Sequence, residues 1–321
     1  MARREQEHTP LPYPNGWFAV AWSHELREGQ VTPLHYFGEE LVLFRTRSGQ
    51  ARVLDAFCPH LGAHLGHGGR VAGETIRCPF HGWHFDGATG ACTRIPYCER
   101  IPAQARVRSW EVQEKNRMVF VWRHAEGKPP EWDFPALPEL DHPDWSEPRT
   151  FELELPTHVQ ESHENNNDPV HFQYVHGSVE TPPSEIHTSA DGRVYRTVSH
   201  SQWEFPFGTF QTSLVRDSFG LGLVGLRLTG IGEAGLLMYS STTPIEERRV
   251  HSRWLLTATR DFVDVAGEEF MKGLTSGVQQ DLPIWANKIH RAKPVLCEAD
   301  THLAEYRKWV KQFYSDPAAD A

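Results

Sequence analysis

Residues 58–64 read CPHLGAH and residues 78–83 read CPFHGW. Each segment couples one thiol to one imidazole, Cys58 with His60 and Cys78 with His81, and seventeen residues separate the two halves. Two thiolates suit one iron and two neutral imidazoles suit another, which describes an asymmetric [2Fe–2S] centre. Exchanging two thiolates for imidazoles makes such a cluster less negative and its reduced form easier to reach. Tetrahedral zinc also accepts a Cys₂His₂ set. Zinc sites usually pair like ligands on a hairpin and a helix, whereas each half here is mixed and both halves fall between short strands. Glycine follows in each half, as Leu61-Gly62 and Gly82-Trp83, where it lets backbone N–H groups approach the bridging sulfides. The competing reading, a zinc-stabilised binding module without catalysis, predicts a colourless protein in place of a red-brown one.

Outward from these loops, residues 16–124 read as short β-branched or aromatic runs separated by glycine and proline. They are GWFAVAW, LVLFRT, ARVLDAF, RVRSWEV and RMVFVWR, the pattern of a small antiparallel β domain. Residues 125–150 are rich in proline and charge and mark a boundary. The 321 residues suit two domains, expected at 1–145, including the linker, and 146–321. The second begins with a partly helical stretch over 158–176. Strands follow from Tyr195 to Arg260, then a long helix from Phe262 to Ile289. Phe270, Leu274, Val278, Leu282, Trp285 and Ile289 recur there at three or four residues and form one apolar face. A last helix carries Leu303, Tyr306, Trp309, Val310 and Phe313.

The 32 Lys and Arg against 42 Asp and Glu leave a formal charge of −10, which argues against a nucleic-acid binder relying on bulk positive charge. No run reaches the roughly 18 apolar residues of a membrane span. MARREQEHTP has no apolar core behind its arginines, unlike a secretory signal. The expected location is cytoplasmic. The cysteines at 58, 78, 92, 98 and 297 are then expected to be reduced, as ligands or plain small residues. The 19 histidines invite a search for metal sites.

A second constellation lies at 165–176, where Asn165, Asp168, His171 and His176 fall close together. Imidazoles suit Fe(II), and a carboxylate as third ligand would leave one face open for O₂ and substrate. Five residues on an ideal helix turn through 140°, so His171 and His176 converge only where the helix bulges or ends between them. His158 and His163 show the same spacing, so spacing alone selects neither pair. Candidates for the carboxylate are Asp261, Asp264, Glu268, Glu269, Asp281 and Asp300. Only Asp281 falls on the apolar face of its helix, between Val278 and Trp285, where it is costly unless paired or metal-bound. A plain N-cap role before Pro283 is the other reading of that residue.

At the two Cys/His loops the chain resembles the Rieske family, in the form found in oxygenases and their ferredoxins. Respiratory Rieske proteins add a cysteine in each loop, at positions held here by Ala63 and Phe80, and a serine where Trp83 stands. The resemblance therefore implies fewer hydrogen bonds to the cluster and a potential near the low end of the Rieske range, about −150 mV. The pattern N-x-x-D-x-x-H-x-x-x-x-H resembles the mononuclear iron motif of Rieske oxygenase catalytic subunits. Their carboxylate ligand also comes from a late helix, which again points to Asp281. In that family the counterpart of Asp168 bridges to a cluster histidine of the neighbouring subunit in a head-to-tail ring, commonly a trimer. The resemblance thus implies that Asp168, counted with Asn165 among the catalytic residues, connects His171 to His81 or His60 of the next chain.

Nearly the whole chain is similar to the bacterial 3-ketosteroid 9α-hydroxylase oxygenases and the cholesterol 7-desaturases. The residues that carry this are ENNNDPVHFQYVH at 164–176, QQDLPIWANKI at 279–289, KPVLCEAD at 293–300 and YRKWVKQFYSD at 306–316. The fold implied is α+β, an N-terminal antiparallel-β Rieske domain followed by a helix-grip catalytic domain. The function implied is a terminal oxygenase that uses O₂ and external electrons to hydroxylate or desaturate a C–H bond of a steroid-like substrate. An O- or N-demethylase of small aromatic compounds is the alternative on the same scaffold. Residues 203–240 supply the apolar candidates for a substrate cavity, Trp203, Phe205, Phe207, Phe210, Leu214, Leu223, Leu226, Leu228, Leu236, Leu237, Met238 and Tyr239, although a sheet core is the better reading for most of them. GLGLVG at 220–225 imitates a dinucleotide loop, but LRLTGIG after it alternates like a strand where a helix is required. Electrons are therefore expected from a separate ferredoxin or ferredoxin reductase, which alone would use NAD(P)H. An arginine-rich strip of the first domain, Arg94, Arg100, Arg106, Arg108 and Arg117, is a candidate dock for an acidic ferredoxin, or simply a solvated face interleaved with Glu99, Glu111 and Glu114.

Overall fold

A computed structural model describes residues 11–177, 181–205 and 208–315, without the side chains at 203, 205 and 265–276. The chain divides into two units. One is Trp17–Glu131; in the other, the residues before Trp17 join Trp132 and everything beyond it. Most of the proline-rich stretch read as a linker thus groups with the second unit. The Trp132 ring packs on Phe313 and against the cluster of Tyr195, Tyr306, Trp309 and Val310.

The first unit is built from short antiparallel strands: β1 (Gly16–Trp22), β2 (Val31–Tyr36), β3 (Glu39–Arg45), β4 (Ala51–Asp55), β5 (Arg70–Ala72), β6 (Thr75–Arg77), β7 (His84–Asp86), β8 (Cys92–Arg94), β9 (Val112–Lys115) and β10 (Met118–Arg123). They form three sheets, ordered β1-β10-β9, β2-β3-β4 and β5-β6-β7-β8. Lys115 pairs directly with Met118, so Asn116 and Arg117 make a two-residue hairpin loop. Both have positive φ, 53° and 66°, as the type I′ turn demands. RVRSWEV is not a strand along its length. Its first six residues make only isolated bridges, Ala91 to Arg106 and Leu54 to Ser109, and the apolar residues that suggested a strand, Val107 and Trp110, are buried without a regular alternation.

The second unit holds one antiparallel sheet of β11 (Arg149–Leu155), β12 (Ser184–Thr188), β13 (Val194–Phe205), β14 (Gly208–Phe219), β15 (Leu223–Ile231), β16 (Ala234–Glu246) and β17 (Arg249–Ala258). Its order is β11-β17-β16-β15-β14-β13-β12. The helices are α1 (Val159–Asn165), α2 (His171–Tyr174), α3 (Arg260–Asn287) and α4 (Thr301–Val310). Helices α1 and α3 both approach β16. On β16, Leu236 and Met238 face the helices and line a cavity, while Leu237 and Tyr239 alternate to the other face. The glycines of 220–225 sit in the turn between β14 and β15 and in β15 itself. That is strand–turn–strand, and no helix follows to receive a phosphate. Among the described residues no helix is long and apolar enough to cross a membrane.

Candidate metal centres

In the first unit the two Cys/His loops fold alike. The Cys58 N–H donates to the Ala63 carbonyl and the Gly62 N–H returns to the Cys58 carbonyl, both at 2.9 Å. In the second loop the Cys78 N–H donates to Trp83 at 2.8 Å and Gly82 returns to Cys78 at 3.2 Å. Gly62 and Gly82 close these turns at φ 74° and 71°, where a side chain would be strained. Both cysteines are buried, and the thiols lie side by side. Burial pushes Cys58 up to about 11, and the neighbouring Cys78 adds to the rise. Such a pair ionises readily only beside a cation. The His60 and His81 rings come together at 4.6 Å between centroids, and the buried His60 Nδ1 has no hydrogen-bond partner. A thiol pair, an imidazole pair and an orphaned ring nitrogen fit a [2Fe–2S] cluster. Trp83 stacks on His60 at 4.7 Å and donates its indole N–H to the Tyr97 hydroxyl at 2.8 Å.

The second unit brings His171, His176 and Asp281 together, with one ligand atom of each within 4.8 Å of the others. Helix α2 ends at Tyr174, between the two histidines, which supplies the rotation that an unbroken helix would deny. The His176 Nε2 and an Asp281 carboxylate oxygen are 3.6 Å apart, near the ~3–3.5 Å expected of donors that share an ion at ~2.1 Å. The His171 Nδ1 lies 2.5 Å from the Asp168 carbonyl oxygen, which only accepts, so Nδ1 carries the proton and Nε2 is free for a metal. Gln280 does the same for His176, its Oε1 lying 2.8 Å from Nδ1. Gln280 escaped the sequence reading; its only signal was its position beside Asp281.

Asp281 is buried, and Pro283 lies inside the continuous α3, so Asp281 is no N-cap. Burial raises its carboxyl pKa, against the pull of His176, His171 and the nearby Asn165 amide. Its Oδ1 is buried without a hydrogen-bond partner. A carboxylate in that state, facing two imidazoles with free nitrogens, fits a divalent iron. Asp261 and Asp264 are exposed, and Asp300 receives the Cys297 N–H. The side chains of Glu268 and Glu269 lie outside the described residues. Asp168 caps α2, its Oδ1 accepting from Val170 at 2.9 Å and His171 at 3.4 Å.

The three candidate ligands line a cavity of about 420 Å³ with Leu214, Leu226, Leu228, Leu236, Met238 and Phe172 among its apolar walls, a size suited to a small organic ligand. Of the apolar residues picked from the sequence, Leu223, Leu237 and Tyr239 are buried but do not line it. Trp203, Phe205 and Phe207 fall outside the described side chains. Ser240, Thr242 and Ser252 form a polar patch of the wall.

Comparison with known proteins gives matches over both units. The Rieske [2Fe-2S] domain family matches residues 16–128, and the 3-Ketosteroid 9alpha-hydroxylase C-terminal domain family matches residues 121–314. Cholesterol 7-desaturase nvd 1 of Ciona intestinalis is 32% identical over 98% of this chain and 71% of its own length. The oxygenase component of 3-ketosteroid-9-alpha-monooxygenase from Rhodococcus rhodochrous is 28% identical over 96% of this chain and 82% of its own. Among solved structures, NdmB of Pseudomonas putida CBB5 superposes with a TM-score of 0.77 at 20% identity, covering 94% of this chain and 93% of that one.

Proposed function

Because the chain belongs to the Rieske oxygenases, in the group of the 3-ketosteroid 9α-hydroxylases and cholesterol 7-desaturases, we propose that it is a terminal oxygenase acting on a C–H bond of a steroid-like substrate. The observation that carries this reading is the convergence of His171, His176 and Asp281 on the wall of a largely apolar cavity. Cys58 and Cys78 hold one iron of the cluster, His60 and His81 the other, and the triad holds the third iron. Bound there, the cluster would supply single electrons and the lone iron the O₂ chemistry by which an unactivated C–H bond is hydroxylated or desaturated.

The chain's own residues do the positioning. The Asp168 carbonyl and Gln280 fix the two imidazole tautomers, and Asn165 lines the same cavity beside Asp281. The leucines of β14, β15 and β16 exclude water and take up an apolar ring system. Electrons come from a separate ferredoxin or reductase, for which the exposed Arg94, Arg100 and Arg106 offer a positive face. In a ring of subunits, Asp168 links His171 to His81 or His60 of the next chain. If Asp168→Asn kept full turnover at normal iron content, that link would be wrong.

The test is turnover by the anaerobically purified, iron-loaded protein with a surrogate reductase and a panel of sterols and 3-ketosteroids. Hydroxylated or desaturated steroid is the expected product. Formaldehyde from small methylated aromatics, with no steroid product, would replace this reading by the demethylase one.

A further inference from the structure

The cavity face of the sheet carries a charge that nothing described neutralises. Arg216 on β14 pairs with Thr197 of β13 and Leu226 of β15. It stands two residues from Leu214, so strand alternation puts it on the face that lines the cavity. It is 2% exposed. One guanidinium N–H donates to the Ser199 hydroxyl at 2.8 Å, while Nε has no hydrogen-bond partner. Among the described residues it makes no ion pair. The adjacent Asp217 binds Arg196 instead, at 2.6 Å. What the cation does meet is Phe172, whose ring centroid is 4.8 Å from the guanidinium carbon. That ring lies 4.4 Å from the His171 ring and 5.3 Å from the His176 ring.

A desolvated guanidinium without an anion is costly, and one ring face offsets only part of that cost. Packing alone calls for no charge here, since an apolar side chain of similar volume would fill the space without the penalty. We propose that Arg216 is a positioning residue for the iron of the His171–His176–Asp281 site. It holds Phe172 against both imidazoles, and its fixed charge biases the iron toward the ferrous state. Oxidation adds one positive charge at the iron, and a cation that water does not screen opposes it. The ring separations keep the charge within about 10 Å of either imidazole centre, hence within roughly 13 Å of an iron bound to them, where at an effective dielectric of ~20 the bias is roughly tenfold. The inference rests on the mononuclear iron reading above and adds a residue that touches neither metal nor substrate.

The experiment is a redox titration of the mononuclear iron in the full-length holoenzyme, followed by its ferric EPR signal. It compares wild type with Arg216→Met, Arg216→Gln and Arg216→Lys. The glutamine variant keeps a donor for Ser199 and serves should the methionine variant not fold. The neutral variants are expected to lower the midpoint by about 59 mV, a tenfold change for one electron, and lysine to restore it. Neutral variants with the wild-type midpoint would overturn the proposal. So would a lysine variant displaced as far as the neutral ones, since shape and not charge would then be responsible. A wild type that binds the cluster but no third iron would remove the iron reading itself, a result distinct from either.

Discussion

A carboxylate oxygen of Asp281 lies 3.6 Å from Nε2 of His176, joining a helix near the end of the chain to a turn that precedes most of the sheet. The residue beside it, Gln280, hydrogen-bonds the other nitrogen of the same imidazole at 2.8 Å. One turn of α3 therefore holds His176 from both sides, and this pairing sets the geometry of the site.

Removing the Gln280 contact tests that arrangement. Gln280→Leu leaves the ligands in place but frees the His176 ring to rotate and to change tautomer. Iron affinity at the triad, read by chelator competition, is expected to fall roughly 10- to 100-fold. The visible spectrum of the cluster should not change. An affinity equal to wild type would mean that Gln280 does not orient the ligand.

The two Cys/His loops were the most legible part of the sequence, because each is a local turn whose candidate ligands and glycine fall within six residues. The histidine pair was less so, since His158 and His163 share the spacing of His171 and His176. The difference is backbone: His158 caps α1 and His163 lies within it, whereas α2 stops between the other two. Arg216 and Gln280 were not legible. Their roles depend on register across the sheet and on contacts between distant elements, which no local pattern records.

His158 makes acid stability a second test. Its Nδ1 accepts the Gln160 N–H at 3.1 Å and caps α1. Burial holds the imidazole down to about 4, against ~6.5 for a free histidine. With the folded pKa the lower, the unfolded chain takes up the proton first. The stability is complete above about pH 6.5 and drains as pH falls toward 4, by about 2 kcal/mol at pH 5. His158→Asn keeps a cap acceptor without the titration. Its urea midpoint should fall less than that of wild type between pH 7 and pH 5, and equal slopes would refute the assignment.

Behind α1, Arg307 of α4 grips Glu164 with two hydrogen bonds, at 2.8 and 2.9 Å. The Glu164 side chain is buried. Arg307→Met strands that carboxylate and is expected to cost about 3–5 kcal/mol in urea unfolding. Adding Glu164→Leu should recover most of the loss. A single variant as stable as wild type would show the pair to be dispensable.

At the cluster, the position that could place a hydroxyl near sulfur holds Trp83, which spends its N–H on Tyr97. A midpoint near about −150 mV is expected. Trp83→Ser should move it upward, since a hydroxyl there stabilises the added electron. A clearly positive wild-type midpoint would contradict this.

Counting iron and acid-labile sulfide in the anaerobically loaded protein addresses the central claim most directly. Three irons and two sulfides per chain are expected, falling to two irons and two sulfides in Asp281→Asn. A fully loaded wild type that stops at two irons, or an Asp281→Asn protein that keeps three, would contradict a mononuclear site built on that carboxylate.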